Sequence, residues 1–318
     1  AAGGAGGDTL DITDVFSTYL YTGTGANRDF TNGIDLAGDG GLVWIKSRTV
    51  ARGHQLYDSE RTGAAYQVLS TDTNSAQGDV TRLTSLNSDG FSTNNSTAVN
   101  GSSEDYASWT FRKAPKFFDV VTYTGNGVAG REIAHNLGSV PGVIITKKLN
   151  AAENWVVYHR SNGAGKMLYL NGTNATLNST AVYPTTPTDS VFYVGDDSAV
   201  NGTSSDTYVA YLFAHNDSGD GEFGPTGDQD IIKCGSYTGN GSATGPIVNL
   251  GWEPQWLLTK AASTTSDWTI VDNMRGVVTG GNDARLHPQT NELEANNANI
   301  VDFLADGFQL KGTGPLNN

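Results

Sequence analysis

Two matched sets of charged residues are the clearest candidates for chemistry in this sequence. Each set places an Asp twelve residues and an Arg fifteen residues after a Lys. The set forms either a polar ligand site that is present twice or a structural salt bridge between neighbouring strands, and the salt bridge is the favoured interpretation. The equivalent positions around Lys147 hold His159 and Asn162, so the set is not one obligatory catalytic machine. The two sets are Lys46, Asp58 and Arg61, and Lys260, Asp272 and Arg275.

An aromatic ring follows each of these three lysines at a distance of eight residues. The rings belong to His54, Trp155 and Trp268. Aromatic side chains at a repeated position could stack on sugars, as they do on lectin surfaces. Burial in a hydrophobic core is the default for Trp in a β-sandwich, and it is the favoured interpretation here.

Other constellations of reactive residues are missing from the sequence. The histidines show neither His-x-x-x-His spacing nor a neighbouring Cys, which argues against zinc. No Gly-x-Ser-x-Gly elbow and no phosphate-binding Gly-x-x-x-x-Gly-Lys loop occurs. We therefore predict no catalytic residues, no metal site, no cofactor and no enzymatic activity, and the sequence does not identify ligand-binding residues. The histidines are His54, His135, His159, His215 and His287.

Two further features favour structural interpretations. Residues 216–221 are rich in oxygen ligands, but Gly227 stands where a calcium-binding loop requires Glu, so the stretch is predicted to be a solvated linker. Cys234 is the only cysteine, which excludes an intrachain disulfide. Its apolar neighbours predict a small buried side chain.

The composition limits the classes of partner. The formal net charge is −14 over 318 residues, the wrong sign for nucleic acid or for an anionic membrane surface. No apolar run is long enough to span a bilayer. Aromatic residues recur throughout the periodic segments, whereas disordered chains lack them.

A repeated phrase divides the chain. The sequence YTGNG occurs at residues 123–127 and 237–241, and a diverged copy, YTGTG, at residues 21–25. The opening Tyr of each copy precedes the Lys described above by 25, 24 or 23 residues (21 to 46, 123 to 147 and 237 to 260). A self-match at such a long period predicts tandem domains. The predicted segments are a Gly-rich linker at 1–9, repeat 1 at 10–116, repeat 2 at 117–216, a Gly/Asp-rich linker at 217–230 and repeat 3 at 231–318.

The predicted fold class is all-β. Short strands joined by polar turns favour tandem antiparallel β-sandwiches of jelly-roll type, three in a row, over one continuous solenoid. A closing strand begins near Tyr106 in repeat 1 and near Tyr208 in repeat 2, and the same spacing puts its counterpart beyond Asn318. Repeat 3 is therefore expected to lack its last strand, which either follows in the same polypeptide or is donated by a neighbouring chain.

Four phrases carry a family resemblance: DVFSTYLY at 14–21, GLVWIK at 41–46, ASWTFRKAPKFFDVV at 107–121 and NLGWEPQW at 249–256. Together they resemble repeat-containing virion structural proteins of unknown function from marine tailed bacteriophages of the cyanophage type. The resemblance implies a virion protein, a surface appendage or tail-fibre component, that is assembled in the host cytoplasm. It supplies no catalytic residues.

Three functions follow from this resemblance and from the residues. The first is a phage structural and adhesion module that binds host-surface polysaccharide or other virion proteins, working as a trimer or higher homo-oligomer. The second is a capsid decoration or assembly protein without a receptor role. The least favoured is a glycan depolymerase, which would need two carboxylates about 5–10 Å apart across a cleft.

Overall fold

The structure is a computed structural model that describes residues 9–62 and 66–318. The predicted Gly-rich linker lies outside the described residues except for Thr9. The regular secondary structure of the described chain consists mainly of short antiparallel strands in several sheets, with three one-turn helices and one 3-10 turn. The all-β prediction is therefore confirmed, although single helical turns occur that the sequence did not predict.

The elements fall into the three predicted repeats as follows. Repeat 1 contains α1 (Ile12–Val15), β1 (Phe16–Thr22), β2 (Arg28–Thr31), β3 (Gly41–Ser47), β4 (Gln55–Asp58), β5 (Leu83–Asn87), β6 (Gly90–Thr93), α2 (Thr97–Asn100) and β7 (Asp105–Arg112). Repeat 2 contains β8 (Phe118–Thr124), β9 (Arg131–Ala134), β10 (Val143–Lys148), β11 (Val156–His159), β12 (Lys166–Tyr169), β13 (Leu177–Asn178), β14 (Val191–Val194), α3 (Ser198–Asn201) and β15 (Thr207–Phe213). Repeat 3 contains β16 (Thr244–Asn249), β17 (Trp256–Lys260), β18 (Trp268–Asp272), β19 (Val301–Leu304), β20 (Gly307–Lys311) and the 3-10 turn η1 (Pro315–Asn317).

Repeat 1 consists of two sheets with a shared core. The strand order is β1-β7-β3-β4 in one sheet and β2-β6-β5 in the other. Strand β3 is buried along its whole length, since Val43 and Ile45 face the core between the two sheets whereas Leu42 and Trp44 face a second core outside it. A strand covered on both faces reads as a continuous apolar run, which explains the GLVWI sequence.

Repeat 2 follows the same plan. Its larger sheet has the order β13-β12-β11-β10-β15-β8, and β9 pairs with β14 in a second sheet. Strand β10 again divides its side chains, with Ile144 in the core of the repeat and Ile145 in the second core. The closing strands β7 and β15 therefore both lie between the first strand of their repeat and the strand that carries the Lys.

Repeat 3 lacks this closing strand in the described residues. Strand β17 pairs with β18 on one edge, and no described strand lies on the other edge, where β3 has β7 and β10 has β15. Residues 231–240, which correspond to β1 and β8, contain no strand. Within the described residues, repeat 3 therefore has no counterpart of β7 and β15, and its incompleteness stays a prediction.

The second core is shared by all three repeats. It includes Trp44 and Trp109 of repeat 1, Trp155 and Tyr211 of repeat 2, and Trp268 of repeat 3, and we call it the central core. Because each repeat turns one sheet face towards the central core, no repeat covers its own hydrophobic surface.

The repeats close into a ring around the central core, a feature that differs from three sandwiches in a row. Three equivalent backbone hydrogen bonds join them, and each acceptor lies two residues after one of the repeated lysines. The bonds run from Gln77 N to Leu149 O at 2.9 Å, from Thr176 N to Ala262 O at 2.8 Å and from Glu294 N to Arg48 O at 2.8 Å. The third bond returns from repeat 3 to repeat 1, so the arrangement has pseudo-threefold symmetry.

Expressed alone, repeat 2 (residues 117–216) is expected not to fold. Twelve of the buried side chains of the central core belong to this repeat. Exposing a large apolar side chain costs about 1.5–3 kcal/mol, and a whole domain is stable by only about 5–15 kcal/mol. Circular dichroism should show one cooperative thermal transition for the full chain and none for the fragment. A sharp transition of the fragment near that of the full chain would contradict the shared core.

Candidate functional site

The charged set of repeat 1 lies buried where repeats 1 and 2 meet. Asp58 ends β4, and its Oδ1 accepts a hydrogen bond from the backbone N–H of Arg61 at 3.0 Å, which fixes the turn that follows the strand. Arg61 Nε donates to Asp58 Oδ2 at 2.7 Å, with side-chain exposures of 2% and 0%. Tyr211 of repeat 2 donates its hydroxyl to the same Oδ2 at 2.6 Å.

The set of repeat 3 has the same geometry where repeats 3 and 1 meet. Asp272 ends β18, and Arg275 Nε donates to its Oδ2 at 2.6 Å. Trp109 of repeat 1 donates its indole N–H to that Oδ2 at 3.0 Å. The guanidinium carbon of Arg275 lies 5.3 Å from the centroid of the Trp109 ring, within the range of a cation–π contact. Trp109 and Tyr211 are equivalent residues of the closing strands. At both junctions, therefore, an aromatic side chain of a closing strand donates a hydrogen bond to an Asp of the neighbouring repeat.

Burial fixes the protonation of this set. Burial alone would lower the pKa of the Arg61 guanidinium, but Asp58 and Tyr211 beside it reverse the direction and raise it. The pKa of Tyr211 is raised well above its ordinary value, chiefly by burial. Arg61 therefore stays charged and Tyr211 stays protonated at neutral pH. Since the carboxylate is saturated by these donors inside the protein, the geometry favours the salt-bridge interpretation over a ligand site.

The three repeated rings also join neighbouring repeats. Trp155 Nε1 donates to Ser70 O at 3.0 Å, and Trp268 Nε1 donates to Tyr169 O at 2.8 Å. Their exposures are 0% and 6%, so neither ring offers a face to a sugar.

His54 makes the equivalent contact from repeat 1 to repeat 3. Its Nδ1 accepts from the indole N–H of Trp44 at 2.8 Å, so the proton lies on Nε2, which donates to His287 O at 3.1 Å. Burial lowers the pKa of His54 well below its ordinary value, and the ring is neutral. The three donors thus complete the ring of repeats.

The repeated lysines are buried beside these contacts. Lys46 and Lys147 are fully buried, and Lys260 is half-buried. Each ammonium donates to the carbonyl of the next residue, at 2.7, 2.7 and 2.8 Å. Desolvation by burial lowers the pKa of each to about 8. A lysine of lowered pKa is a potential nucleophile, but these amines face backbone carbonyls inside the protein, so their position favours a structural role.

The remaining junction, between repeats 2 and 3, has different chemistry. His159 and Asn162 stand where the other repeats have Asp and Arg. His159 Nδ1 accepts from the backbone N–H of Ser161 at 3.1 Å, as Asp58 Oδ1 accepts from that of Glu60 at 3.1 Å. Burial, followed by Arg160 and His215, lowers the pKa of His159 to about 4, so the ring is neutral and Nε2 carries its proton. Nε2 has no hydrogen-bond partner among the described residues.

Sequence reasoning did not identify His159 as a site residue, although a signal was present. His replaces Asp in the repeat whose neighbour shows no closing strand among the described residues. This coincidence becomes visible only once the repeats are known to form a ring, because the aromatic that meets Asp58 lies 153 positions away in the chain.

The other sequence candidates take structural positions. The predicted solvated linker was wrong for Asn216, which is 1% exposed because its side chain accepts from the backbone N–H groups of Ile231 and Ile232 at 3.1 and 3.2 Å. Cys234, predicted to be buried, is half-buried against the central core. Burial raises the pKa of its thiol to about 12, so it is not a thiolate nucleophile.

Two kinds of feature are absent from the described residues. No group of three or more His, Cys, Asp or Glu side chains in residues 9–62 and 66–318 is arranged to hold a metal ion. None of the helices in that part of the chain has the length and apolarity needed to cross a membrane.

The substitution Asp58→Asn is expected to lower the free energy of unfolding by about 3–5 kcal/mol, because it leaves the buried Arg61 without its counter-charge. Chemical denaturation measures this loss. The matched control is Asp39→Asn, which removes a more exposed partner of Arg112 and should cost less than about 1 kcal/mol. Equal losses of free energy in the two variants would show that the buried ion pair contributes no more to stability than the more exposed one.

Stability should rise with pH between about 8 and 9.5 through the buried lysines. Their pKa is about 8 in the folded protein and roughly 10.4 in an unfolded chain, so in this window the unfolded state binds more protons and folding is favoured as pH increases. Denaturation at pH 7.5, 8.5 and 9.5 measures the slope. Lys46→Met and Lys147→Met should each flatten the rise by roughly 1–3 kcal/mol, whereas Lys166→Met, at an exposed position, should not. An unchanged slope in all three variants would contradict the shift.

Comparison with known proteins places the chain in a family. The family model described as "Domain of unknown function (DUF7483)" matches residues 11–318. No curated protein matches the chain, and no solved structure matches it either. Since the family model covers nearly the whole sequence, the chain belongs to the family described as domain of unknown function DUF7483.

Proposed function

We propose that the protein is a structural component of a bacteriophage particle, in a surface appendage or tail fibre, and that it acts by binding rather than by catalysis. The observation that supports this role best is the use of the repeated charged residues. The buried pair of Asp58 and Arg61 and the equivalent pair of Asp272 and Arg275 hold neighbouring repeats together. Residues that would be candidates for catalysis are thus committed to stability.

The phage assignment rests on the sequence resemblance described above. The acidic charge of −14 and the exclusively antiparallel strands are compatible with a particle protein that must stay soluble before assembly. A ring of repeats around one shared core also suits a part that withstands force.

Within this role, contact with other virion proteins is the favoured mode of binding. Four of the large apolar side chains that are more than half exposed belong to repeat 3, and protein-binding surfaces are rich in such side chains. Their exposures range from 54% to 62%. They are Ile247, Met274, Val278 and Leu293.

Binding of host-surface polysaccharide is the second candidate, and one observation favours it. Trp252 has a half-exposed indole, and Lys233 Nζ lies 6.0 Å from its ring centroid. An accessible indole beside a cation can stack on a sugar ring and attract an acidic one. Trp155 and Trp268, the indoles singled out by the repeat pattern, are buried.

Purified particles provide the test of the main proposal. The protein is expected at a fixed copy number in particles of the phage that encodes it, and imaging should place it in an appendage or at the surface. Recovery of the protein only from the unassembled fraction of the lysate would overturn the structural role.

Glycan arrays separate the two modes of binding. If the protein binds sugars, Trp252→Ala should reduce the signal at least tenfold while the thermal transition stays unchanged. Absence of any array signal would remove the adhesion candidate and leave assembly. Release of reducing ends from host polysaccharide would instead identify a depolymerase.

A further inference from the structure

Repeat 3 has a gap where repeats 1 and 2 have their closing strands, since no described strand lies there. In repeats 1 and 2 the closing strand lies between the first strand and the Lys-bearing strand, and it pairs antiparallel with both. The corresponding flanks in repeat 3 are residues 231–238 and β17. No described residue makes a backbone hydrogen bond to the free edge of β17 or bridges it to residues 233–238.

Burial shows that the described residues leave the gap partly exposed. Strand β3 is buried at all seven positions and β10 at five of six, whereas β17 is buried only at Thr259. Cys234 on one flank and Leu258 on the other are half-buried, and both pack against the central core. The gap therefore has an apolar floor and two polar backbone edges, which is the environment of a sheet interior without its strand.

The entrance of the gap is already formed. The turn η1 occupies the place of α2 and α3, the helical turns that lead into the closing strands. Tyr237 donates its hydroxyl to Leu316 O at 2.9 Å, as Tyr123 donates to Val200 O at 2.8 Å. Asn317 lies where α3 ends with Asn201. A strand that enters beside η1 would thus run antiparallel to β17.

We propose that this gap is a strand-acceptor site whose occupant is one extended polypeptide segment with the side-chain pattern of β7 and β15, Tyr-x-x-aromatic-x-Phe. The segment enters beside η1 and completes the sheet of repeat 3 by backbone pairing with β17 and with residues 231–238. This inference is independent of the proposed virion role, because it rests on the two filled copies of the same site.

The filled copies fix the register of the occupant. Tyr106 lies opposite Tyr21 and Ser47, so the Tyr of the occupant lies opposite Tyr237 and Ala261. The central aromatic, equivalent to Trp109, lies opposite Cys234 and Leu258.

The two terminal aromatics of the occupant also have defined neighbours. The final Phe, equivalent to Phe111, lies opposite Ile232 and Trp256. The first Tyr stacks on Tyr237, as Tyr208 stacks on Tyr123 with ring centroids 5.1 Å apart. Stacked aromatic pairs of this kind add to the energy of simple burial.

The central aromatic of the occupant must accept a hydrogen bond. In the filled copies this residue donates to a carboxylate, from Tyr211 to Asp58 and from Trp109 to Asp272. The ring of repeats brings the third such residue to His159, whose Nε2–H has no hydrogen-bond partner among the described residues. A Tyr hydroxyl can accept from this N–H, whereas an indole can only donate. The site therefore prefers Tyr to Trp.

Peptide binding to the 318-residue protein tests the proposal. The probe is a fluorescent peptide with the β15 sequence Thr-Tyr-Val-Ala-Tyr-Leu-Phe between terminal lysines, and anisotropy measures its affinity. Replacing the second Tyr of the peptide by Trp or Phe should weaken binding about five- to tenfold. A scrambled peptide should not bind.

Three protein variants test the site and supply its control. Leu258→Lys places a charge in the apolar floor and should abolish binding, whereas Val128→Lys, at an exposed position of repeat 2, should leave it unchanged. His159→Asp restores the carboxylate of the other junctions, so the Trp peptide should then bind at least as tightly as the Tyr peptide on the wild type. An unchanged preference for Tyr in His159→Asp would refute the role of His159.

Disulfide trapping tests the register. A peptide whose Cys, at the position of the central aromatic, is activated as a mixed disulfide with thiopyridine should crosslink to Cys234 at pH 9 with release of pyridine-2-thione, and peptides with the activated Cys one position earlier or later should not. The reaction is expected to be slow, because the raised pKa of the Cys234 thiol leaves little thiolate. Absence of binding by every peptide at millimolar concentration would overturn the proposal. So would a dimer of the protein that pairs two β17 edges and that the β15 peptide does not dissociate.

Discussion

The central core is the constraint on which the rest of the structure depends. Each repeat has one hydrophobic sheet face more than it can cover, and only the two other repeats can cover it. The polar contacts are arranged around this requirement. Buried pairs such as Asp58 and Arg61 tolerate removal from water because an aromatic donor from the next repeat completes their hydrogen bonds. The core thus supplies the energy of association, and the junctions supply its orientation.

The position of a residue in the ring explains why similar sequence positions differ in chemistry. Lys occupies the same position in all three repeats, and each of the three ammonium groups donates to the backbone carbonyl of the next residue in its own repeat. The Asp and Arg positions, in contrast, respond to a neighbouring repeat. Charged Asp and Arg occupy these positions in the two repeats that meet a neighbouring closing strand. In repeat 2 the same positions hold His159, which is neutral, and Asn162. The variation among the repeats therefore follows the partners that each position meets.

Much of the fold was predictable from the sequence because structural repeats produce the same residue types at regular spacing. The spacing around Lys46, Lys147 and Lys260 identified the three copies, and the apolar run at 41–45 identified a buried strand. The same spacing indicated the open edge of repeat 3. The closure into a ring produces no such spacing, since contacts such as those of Trp109 with Asp272 join positions 163 apart. The buried role of the charged sets was one of two alternatives that only the geometry separates.

A single chain with threefold pseudosymmetry differs from a true trimer in what mutation can do to it. In a trimer of identical subunits every substitution appears three times, and all interfaces change together. In this chain each interface is encoded separately, so one can lose its carboxylate while the others keep theirs. Gene duplication followed by such divergence makes one of three equivalent interfaces chemically different from the other two. The protein can then occupy a place with one rotational orientation about the pseudo-threefold axis, whereas three identical subunits leave three equivalent orientations.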